Sequence, residues 1–189
     1  MSKKPHGAGK TSFKQVNADL LFSEIGLKQG ITFLDAACGL GAYTLAASEV
    51  VGETGRIFAF DLWEPAIDGL TQEIRARGLS HIEARIADIC RHIPLPDASI
   101  DVALLAMVVH DLARDYSQGG ALREVQRVLR PSGRLGIVEY KKKDGPPGPP
   151  INVRLSPEAL QSFVHPYGFQ ALKTVDIGPN SYLTVFTLK

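Results

Sequence analysis

Short apolar runs alternate with helical repeats along the chain from Gly30 onward. This alternation is typical of parallel strands joined by crossover helices. Helices are indicated where apolar residues recur every three or four positions, as at Tyr43, Ala46, Ala47 and Val50. Strands are predicted at residues 32–36, 56–61, 81–86, 100–105 and 134–140.

The last third of the chain departs from this alternation. Pro131-Ser132-Gly133 breaks the chain before the fifth strand, and the Gly/Pro-rich residues 144–150 predict a loop after it. Two β-like runs, 170–177 and 182–187, are separated by a short turn and predict an antiparallel hairpin. The pattern as a whole predicts a Rossmann-like α/β fold. Its seven-stranded, mostly parallel sheet carries helices on both faces and ends in the antiparallel hairpin.

The length of 189 residues suits one domain, because a full second domain would need its own core. We expect residues 1–16 to form a flexible segment or a lid, and residues 17–189 to form the single domain. The 21 Lys and Arg residues nearly balance the 20 Asp and Glu residues. The charge therefore argues against nucleic acid or an anionic membrane as the main partner.

The cysteine content bears on metal sites and disulfides, and the lack of long apolar stretches bears on cellular location. Cys38 and Cys90 lie far apart in sequence, so we expect neither a metal site nor a disulfide framework. The chain shows no apolar stretch of signal-peptide or membrane-spanning length. We therefore expect a cytoplasmic protein, and the sequence leaves open whether it is a monomer or a homodimer.

The segment LDAACGLG, residues 34–41, is the most informative stretch. A strand ends in a carboxylate and opens into a small-residue loop before a helix, which lets backbone amides approach a ligand. Asp35 precedes the glycines, where it would repel a pyrophosphate, and Thr44 stands where a nicotinamide fingerprint needs its third glycine. The loop therefore favours a cationic, phosphate-free ligand.

These residues resemble the first motif of the class I S-adenosylmethionine-dependent methyltransferases, with Ala37 in place of the usual first glycine. The resemblance continues through FAFD at residues 58–61, ADI at 87–89, VHDL at 109–112 and EVQRVLRPSGR at 124–134. The last segment is similar to the ubiquinone/menaquinone-biosynthesis-like branch of small-molecule methyltransferases. The resemblance implies the methyltransferase fold, S-adenosylmethionine as cofactor and methyl transfer as activity.

The resemblance also implies roles for single residues. Asp35 would help to bind the amino-acid end of the cofactor directly or through water, and Asp61 would accept hydrogen bonds from both ribose hydroxyls. Leu62 would pack on the adenine, whose edge Asp88 and Ile89 would bind. Each role competes with a structural one, such as turn geometry for the glycines or capping for the aspartates. The implied cofactor-binding residues are Asp35, Ala37, Gly39, Gly41, Asp61, Leu62, Asp88, Ile89, Ala106 and His110.

Dedicated catalytic residues are expected to be few, because methyl transfer needs chiefly alignment and the exclusion of water. His110 and Glu139 are the candidates for a general base, which is needed only if the acceptor arrives protonated. A purely structural role stays open for both. Lys141, Lys142 and Lys143 are most simply a solvated charge run.

The identity of the acceptor is not encoded in any motif. Specificity in this fold is expected from residues 1–17, 106–119 and 141–155, which are short and therefore favour a small-molecule acceptor. Two other functions stay open. One is a non-catalytic module that binds S-adenosylmethionine, and the other is a nicotinamide-dependent oxidoreductase.

Overall fold

The computed structural model describes Gly9 and residues 11–114 and 119–189. The strands are β1 (Thr32–Ala36), β2 (Arg56–Asp61), β3 (Ile82–Ile86), β4 (Ile100–Ala106), β5 (Leu129–Tyr140), β6 (Phe169–Asp176) and β7 (Ser181–Leu188). They form a seven-stranded sheet in the order β3-β2-β1-β4-β5-β7-β6. Strands β1 to β5 pair in parallel, and β6 and β7 form an antiparallel hairpin whose β7 pairs with β5. The predicted fold is confirmed.

The described helices begin and end at residues suited to those positions. Asn17 caps the first helix by accepting a hydrogen bond from Leu20, and Gly26 ends that helix in a left-handed conformation. Ser156 caps the last helix, with Pro157 at its first position. The helices are α1 (Ala18–Ile25), α2 (Ala42–Val51), α3 (Glu64–Ala76), α4 (Val109–Leu112), α5 (Gly120–Val128) and α6 (Pro157–Val164).

Two hydrophobic cores lie on opposite faces of the sheet. Helices α1, α2 and α3 pack against strand residues such as Phe33 and Ile57, and α4, α5 and α6 pack against residues such as Leu34 and Phe60. Successive strand residues point to opposite faces, so a parallel sheet covered on both sides needs apolar residues at consecutive positions. Each fully buried side chain of this size contributes about 1.5–3 kcal/mol.

Strand β5 begins earlier than the sequence predicts. Leu129 already pairs with Ile100, and the pairing then shifts so that Arg134 lies opposite Val102. Residues 130–133, which include the predicted break at Pro131, are accommodated as a bulge in one strand. The prediction of a break before the strand was therefore wrong, because the bulge removes Pro131 from the regular ladder without ending the strand.

The N-terminal segment can be described only in part. Residues 1–8 and 10 of the predicted flexible segment or lid lie outside the described residues. The described part contains a 3-10 turn, Phe13–Gln15, and the Ser12 hydroxyl lies 2.8 Å from the Tyr43 hydroxyl at the start of α2. Among the helices of the described residues, none has both the length and the apolar character that a membrane span requires.

Candidate active site

The predicted site residues lie at the carboxyl ends of neighbouring strands. Asp35 is in β1, Asp61 ends β2, Ala106 ends β4, and Glu139 lies at the end of β5. Strands β2 and β3 lie on one side of β1, and β4 and β5 lie on the other side, so the order of the strands reverses at β1. Ligands of open α/β sheets bind in the crevice at this switch point. The fold therefore brings residues from distant motifs to one edge.

The small-residue loop after β1 has a left-handed backbone at three positions. Ala37 has φ 62°, Gly39 has φ 53° and Gly41 has φ 76°. A Cβ at Gly39 would meet no atom within 4 Å, whereas a Cβ at Gly41 would lie 2.4 Å from Leu70 on α3. Gly39 therefore borders open space, and Gly41 allows the close packing of loop and helix. Ala37 adopts a conformation that glycine occupies at lower cost.

Asp35 lies beneath this loop and is 1% exposed. Its carboxylate accepts a 2.6 Å hydrogen bond from the Thr44 hydroxyl on α2. Burial is the main influence that raises the pKa of Asp35 to about 7, with a smaller contribution from Asp61, while the Thr44 hydrogen bond opposes the shift. Asp35 therefore connects β1 to the first turn of α2, and its charge is costly in this position.

Asp61 ties the end of β2 to the same loop. One carboxylate oxygen accepts the Gly39 N–H at 2.8 Å, and the other accepts the Trp63 N–H at 2.8 Å. Each carboxylate oxygen has a second lone pair that these bonds leave free for a ligand hydroxyl. The side chain thus fixes the loop and keeps capacity to accept hydrogen bonds.

Large apolar side chains are exposed on both sides of Asp61. Leu62, directly after β2, is 53% exposed, and Ile86, at the end of β3, is 50% exposed. Leu40 in the loop after β1 is 44% exposed. Apolar surface at the carboxyl edge of a sheet suits a flat, partly apolar group such as an adenine.

The residues predicted to bind the adenine edge follow β3. One oxygen of Asp88 accepts the Cys90 N–H at 3.0 Å, and the other lies 3.4 Å from the exposed guanidinium of Arg91. The Ile89 side chain is buried in the second core, which leaves its backbone as the part that a ligand could contact. Ala106, at the end of β4, is partly buried and lies opposite Val138 of β5.

His110 and Glu139 form a buried pair. Glu139 has no exposed surface, and its two oxygens accept the His110 backbone N–H at 2.9 Å and contact Nδ1 at 2.8 Å. Nε2 lies 3.7 Å from the Asp111 carboxylate. Burial lowers the pKa of His110, but the hydrogen bond and the charge of Glu139 outweigh it, with Asp111 adding to them. The net effect raises the pKa of His110 above its ordinary value.

This geometry assigns the neutral tautomer of His110. With Glu139 as an ionised carboxylate, which can only accept, Nδ1 carries the proton that faces Glu139, and the lone pair of the neutral ring is on Nε2, 3.7 Å from the Asp111 carboxylate. Glu139 would also stabilise the imidazolium that forms if Nε2 takes up a second proton. The pair therefore has the arrangement of a general base and its orienting carboxylate.

Several structural contacts at this edge were missed by the sequence analysis. Lys141 pairs with Asp176 at 2.8 Å, and Lys143 donates to the Pro179 carbonyl at 3.1 Å. The interpretation of three solvated lysines was therefore wrong for Lys141, whose side chain is 18% exposed beside the end of β6, whereas Lys142 and Lys143 are exposed. Pairs so far apart in sequence have no local signature.

The chain is similar in sequence to known methyltransferases. A family model for a methyltransferase domain matches residues 34–137. Demethylmenaquinone methyltransferase of Lactobacillus johnsonii is 30% identical over 126 residues, which are 66% of this chain and 50% of that protein. The chain spans about half the length of the curated relatives it matches.

Solved structures share the fold over nearly the whole chain. A S-adenosylmethionine-dependent methyltransferase from Aquifex aeolicus superposes with a TM-score of 0.86 at 26% identity, covering 94% of this chain and 93% of that chain. The [4+2]-cyclase SpnF superposes with a TM-score of 0.74 at 20% identity, covering 90% of this chain and 79% of that one. The second likeness shows the fold alone.

Proposed function

Because the chain belongs to the family of S-adenosylmethionine-dependent methyltransferases, we propose that it transfers a methyl group from this cofactor to a small-molecule acceptor. The family, the fold and the cofactor class expected from the sequence are confirmed at the level of that family. The single observation that carries the proposal for this chain is the contact between Gly39 and Asp61, which lies beside open space and exposed apolar surface at the switch point.

The residues at this edge suit the cofactor. We propose that Asp61 binds the ribose, that Leu62 packs on the adenine, and that Asp88 with the Ile89 backbone binds the adenine edge. Gly39 borders the open space above the loop, and Gly41 and Ala37 shape the loop backbone. Asp35 acts from below by fixing Thr44 at the start of α2. Ala106 and His110 lie on the β4 side, where they would line the space in which the methyl group of the cofactor meets the acceptor.

The proposed chemistry assigns one proton transfer to this chain. When bound, S-adenosylmethionine supplies an electrophilic methyl group on a positively charged sulfur. His110 accepts a proton from the acceptor at Nε2, and Glu139 holds Nδ1–H and stabilises the resulting imidazolium. Removal of that proton makes the acceptor oxygen, or a ring carbon conjugated with it, a stronger nucleophile.

The base also suggests the class of acceptor. An acceptor that needs His110 must arrive protonated, as a phenol or hydroquinone does. A relative at 30% identity is named for methyl transfer to demethylmenaquinone, which is the reason to try hydroxylated aromatic rings first. We propose a small aromatic hydroxyl compound as the acceptor.

We propose that the protein acts in the cytoplasm. The near-balance of 21 basic and 20 acidic residues argues against nucleic acid or an anionic membrane surface as its partner. We propose that the protein is a monomer or a homodimer.

The direct test is thermal unfolding with S-adenosylmethionine, S-adenosylhomocysteine or NADH, on wild type, Asp61→Ala and Asp68→Ala. Asp68 lies on the exposed face of α3 and controls for loss of a carboxylate. Ligand at about a hundred times its Kd adds roughly 2.7 kcal/mol. We expect both adenosyl ligands to stabilise wild type and Asp68→Ala but not Asp61→Ala; a response to NADH alone would overturn the proposal.

The transfer itself is tested by formation of S-adenosylhomocysteine with 1,4-naphthohydroquinone and catechol as acceptors. Methylated product with either compound supports the proposed activity. Cofactor binding without transfer to either aromatic compound, or to other metabolites, would instead favour a non-catalytic binding module.

A further inference from the structure

The loop that follows β5 pairs little of its own backbone, as in the bond from the Lys143 N–H to the Lys141 carbonyl. Residues 141–150 read KKKDGPPGPP, and the prolines at 146, 147, 149 and 150 have no N–H to donate. Carbonyl groups that such a loop turns inward need donors from elsewhere, because a buried carbonyl without a partner is costly.

The side chain of Arg154 supplies these donors. It is 4% exposed, and each of its five N–H groups has a backbone carbonyl partner between 2.6 and 3.2 Å away. Lysine could not reproduce this set, because an ammonium has three donors and no planar fork. The acceptors are the carbonyls of Lys141, Lys143, Gly145, Pro147 and Pro149.

The same guanidinium also packs against Tyr140, the last residue of β5. Its central carbon lies 5.6 Å from the ring centroid. On the loop, a Cβ at Gly148 would lie 2.8 Å from the ring, so the backbone there touches the tyrosine closely. Arg154 and the loop therefore fix both the position of the Tyr140 ring and its plane.

Tyr140 belongs to the edge that carries the His110–Glu139 pair. Adjacent residues of a strand point to opposite faces, so Glu139 meets His110 on one face and Tyr140 extends on the other. Burial raises the pKa of Tyr43 to about 12 and nearby Tyr140 adds to this shift, so the two phenols are within interaction range. Tyr140 thus lies at the carboxyl edge of the sheet, next in the chain to the carboxylate that orients the proposed base.

We propose that Arg154 is a positioning residue for the acceptor. It orders the loop of residues 141–150 and holds Tyr140 as the aromatic wall on which a planar acceptor ring stacks. This inference rests on the proposed function, since the wall has a role only if an acceptor binds beside His110. Arg154 itself touches neither the cofactor nor the reacting atoms.

The test compares Arg154→Lys with Arg123→Lys. Arg123 also lies over a tyrosine ring, 5.7 Å from the centroid of Tyr167, but it is exposed on α5. For Arg154→Lys we expect hydrogen exchange in residues 141–150 to rise at least tenfold, the 13Cζ NMR signal of Tyr140 to shift and KM for 1,4-naphthohydroquinone to rise about tenfold. We expect kcat and the affinity for S-adenosylhomocysteine to stay within twofold, and the control to match wild type.

A second variant, Tyr140→Leu, removes the aromatic ring and leaves in place the hydrogen bonds between Arg154 and the loop. It should raise KM for the hydroquinone while exchange in residues 141–150 stays within a few-fold of wild type. Unchanged loop exchange in Arg154→Lys, or an equal loss of affinity for S-adenosylhomocysteine and acceptor, would overturn the inference. Failure of wild type to methylate the hydroquinone would instead count against the proposed function, and the exchange and NMR results would still decide whether Arg154 orders the loop and Tyr140.

Discussion

The two halves of the candidate site are held together in different ways. In the half formed by β1, β2 and β3, carboxylates brace short loops, as Asp61 does for Gly39 and Asp88 does for Cys90. In the half formed by β4 and β5, the partners come from distant segments, as in the His110–Glu139 pair, 29 residues apart. The first half holds loop backbones with carboxylates, including the contact of Asp61 with Gly39 across 22 residues, whereas the second holds one buried ionisable side chain with another.

This difference implies that binding and chemistry can be separated by mutation. Loss of a loop carboxylate should weaken cofactor binding. Loss of a contact between β4 and β5 should weaken acceptor binding or slow the proton transfer. Substitutions in each half of the site test this separation of cofactor binding from chemistry.

The largest effect is expected for Glu139→Gln. The amide can accept only one of the two hydrogen bonds from His110 and carries no charge to stabilise the imidazolium. General-base catalysis contributes about 10²–10⁴-fold, so kcat should fall by about that range. Initial rates across pH 5–9 measure it. An unchanged rate and pH profile would remove His110 from the proposed chemistry.

Asp35→Asn should change the pH dependence of stability. The pKa of Asp35 is raised to about 7 in the folded protein from its ordinary value of 3.8, so folding favours the protonated acid. Its contribution to stability is complete below pH 3.8 and is lost as pH rises through about 7, an effect of roughly 2–4 kcal/mol.

The raised pKa of His110 acts in the same direction, with its contribution lost as pH rises through the folded-state value. Chemical denaturation of wild type at pH 5.5 and 8.5 should therefore show lower stability at the higher pH. The Asp35→Asn variant should show a smaller drop. Equal drops in the two proteins would contradict the assignment of this effect to Asp35.

Gly41→Ala and Gly39→Ala form a matched pair. Both residues have positive φ, so each alanine adds about 1 kcal/mol of backbone strain. Only Gly41→Ala also drives a Cβ into Leu70, and we expect about 1–3 kcal/mol of further destabilisation from this overlap. Urea unfolding of the two variants measures the difference. Equal losses would mean that α3 moves freely away from the loop.

The smallest effect is expected at Ala37. This residue has φ 62°, which glycine adopts without strain, but glycine also gains freedom in the unfolded chain. Ala37→Gly should therefore change the free energy of unfolding by less than about 1 kcal/mol in either direction. Ala37 packs against the core that contains Leu34, and a loss well above that value would show that this packing outweighs the relief of strain. Differential scanning calorimetry would detect it.

Features formed by neighbouring residues could be predicted from the sequence, whereas contacts between distant residues could not. Strands β1 and β2 match their predicted residues, because a buried parallel strand is a continuous apolar run with clear ends. The loop motif could be recognised because its residues are adjacent. The five carbonyl partners of Arg154 could not be predicted, since a carbonyl is present at every residue and only the folded loop turns these five inward.

The bulge in β5 shows the same limit in the backbone. Pro131 and Gly133 look like a chain break, and only the pairing of Leu129 with Ile100 shows that the strand continues. Likewise, the sequence marked Glu139 and His110 as separate candidates, and their contact emerges only when β4 and β5 pair. Long-range partners were missed because no local pattern encodes them.

The most direct measurement is calorimetric titration of S-adenosylhomocysteine into wild type, Asp61→Ala and Glu139→Gln. If the β1–β3 half binds the cofactor and the β4–β5 half acts on the acceptor, Asp61→Ala should lose at least tenfold in affinity and Glu139→Gln should stay within about threefold of wild type. Equal affinities in all three proteins, or equal losses in both variants, would contradict the division of the site.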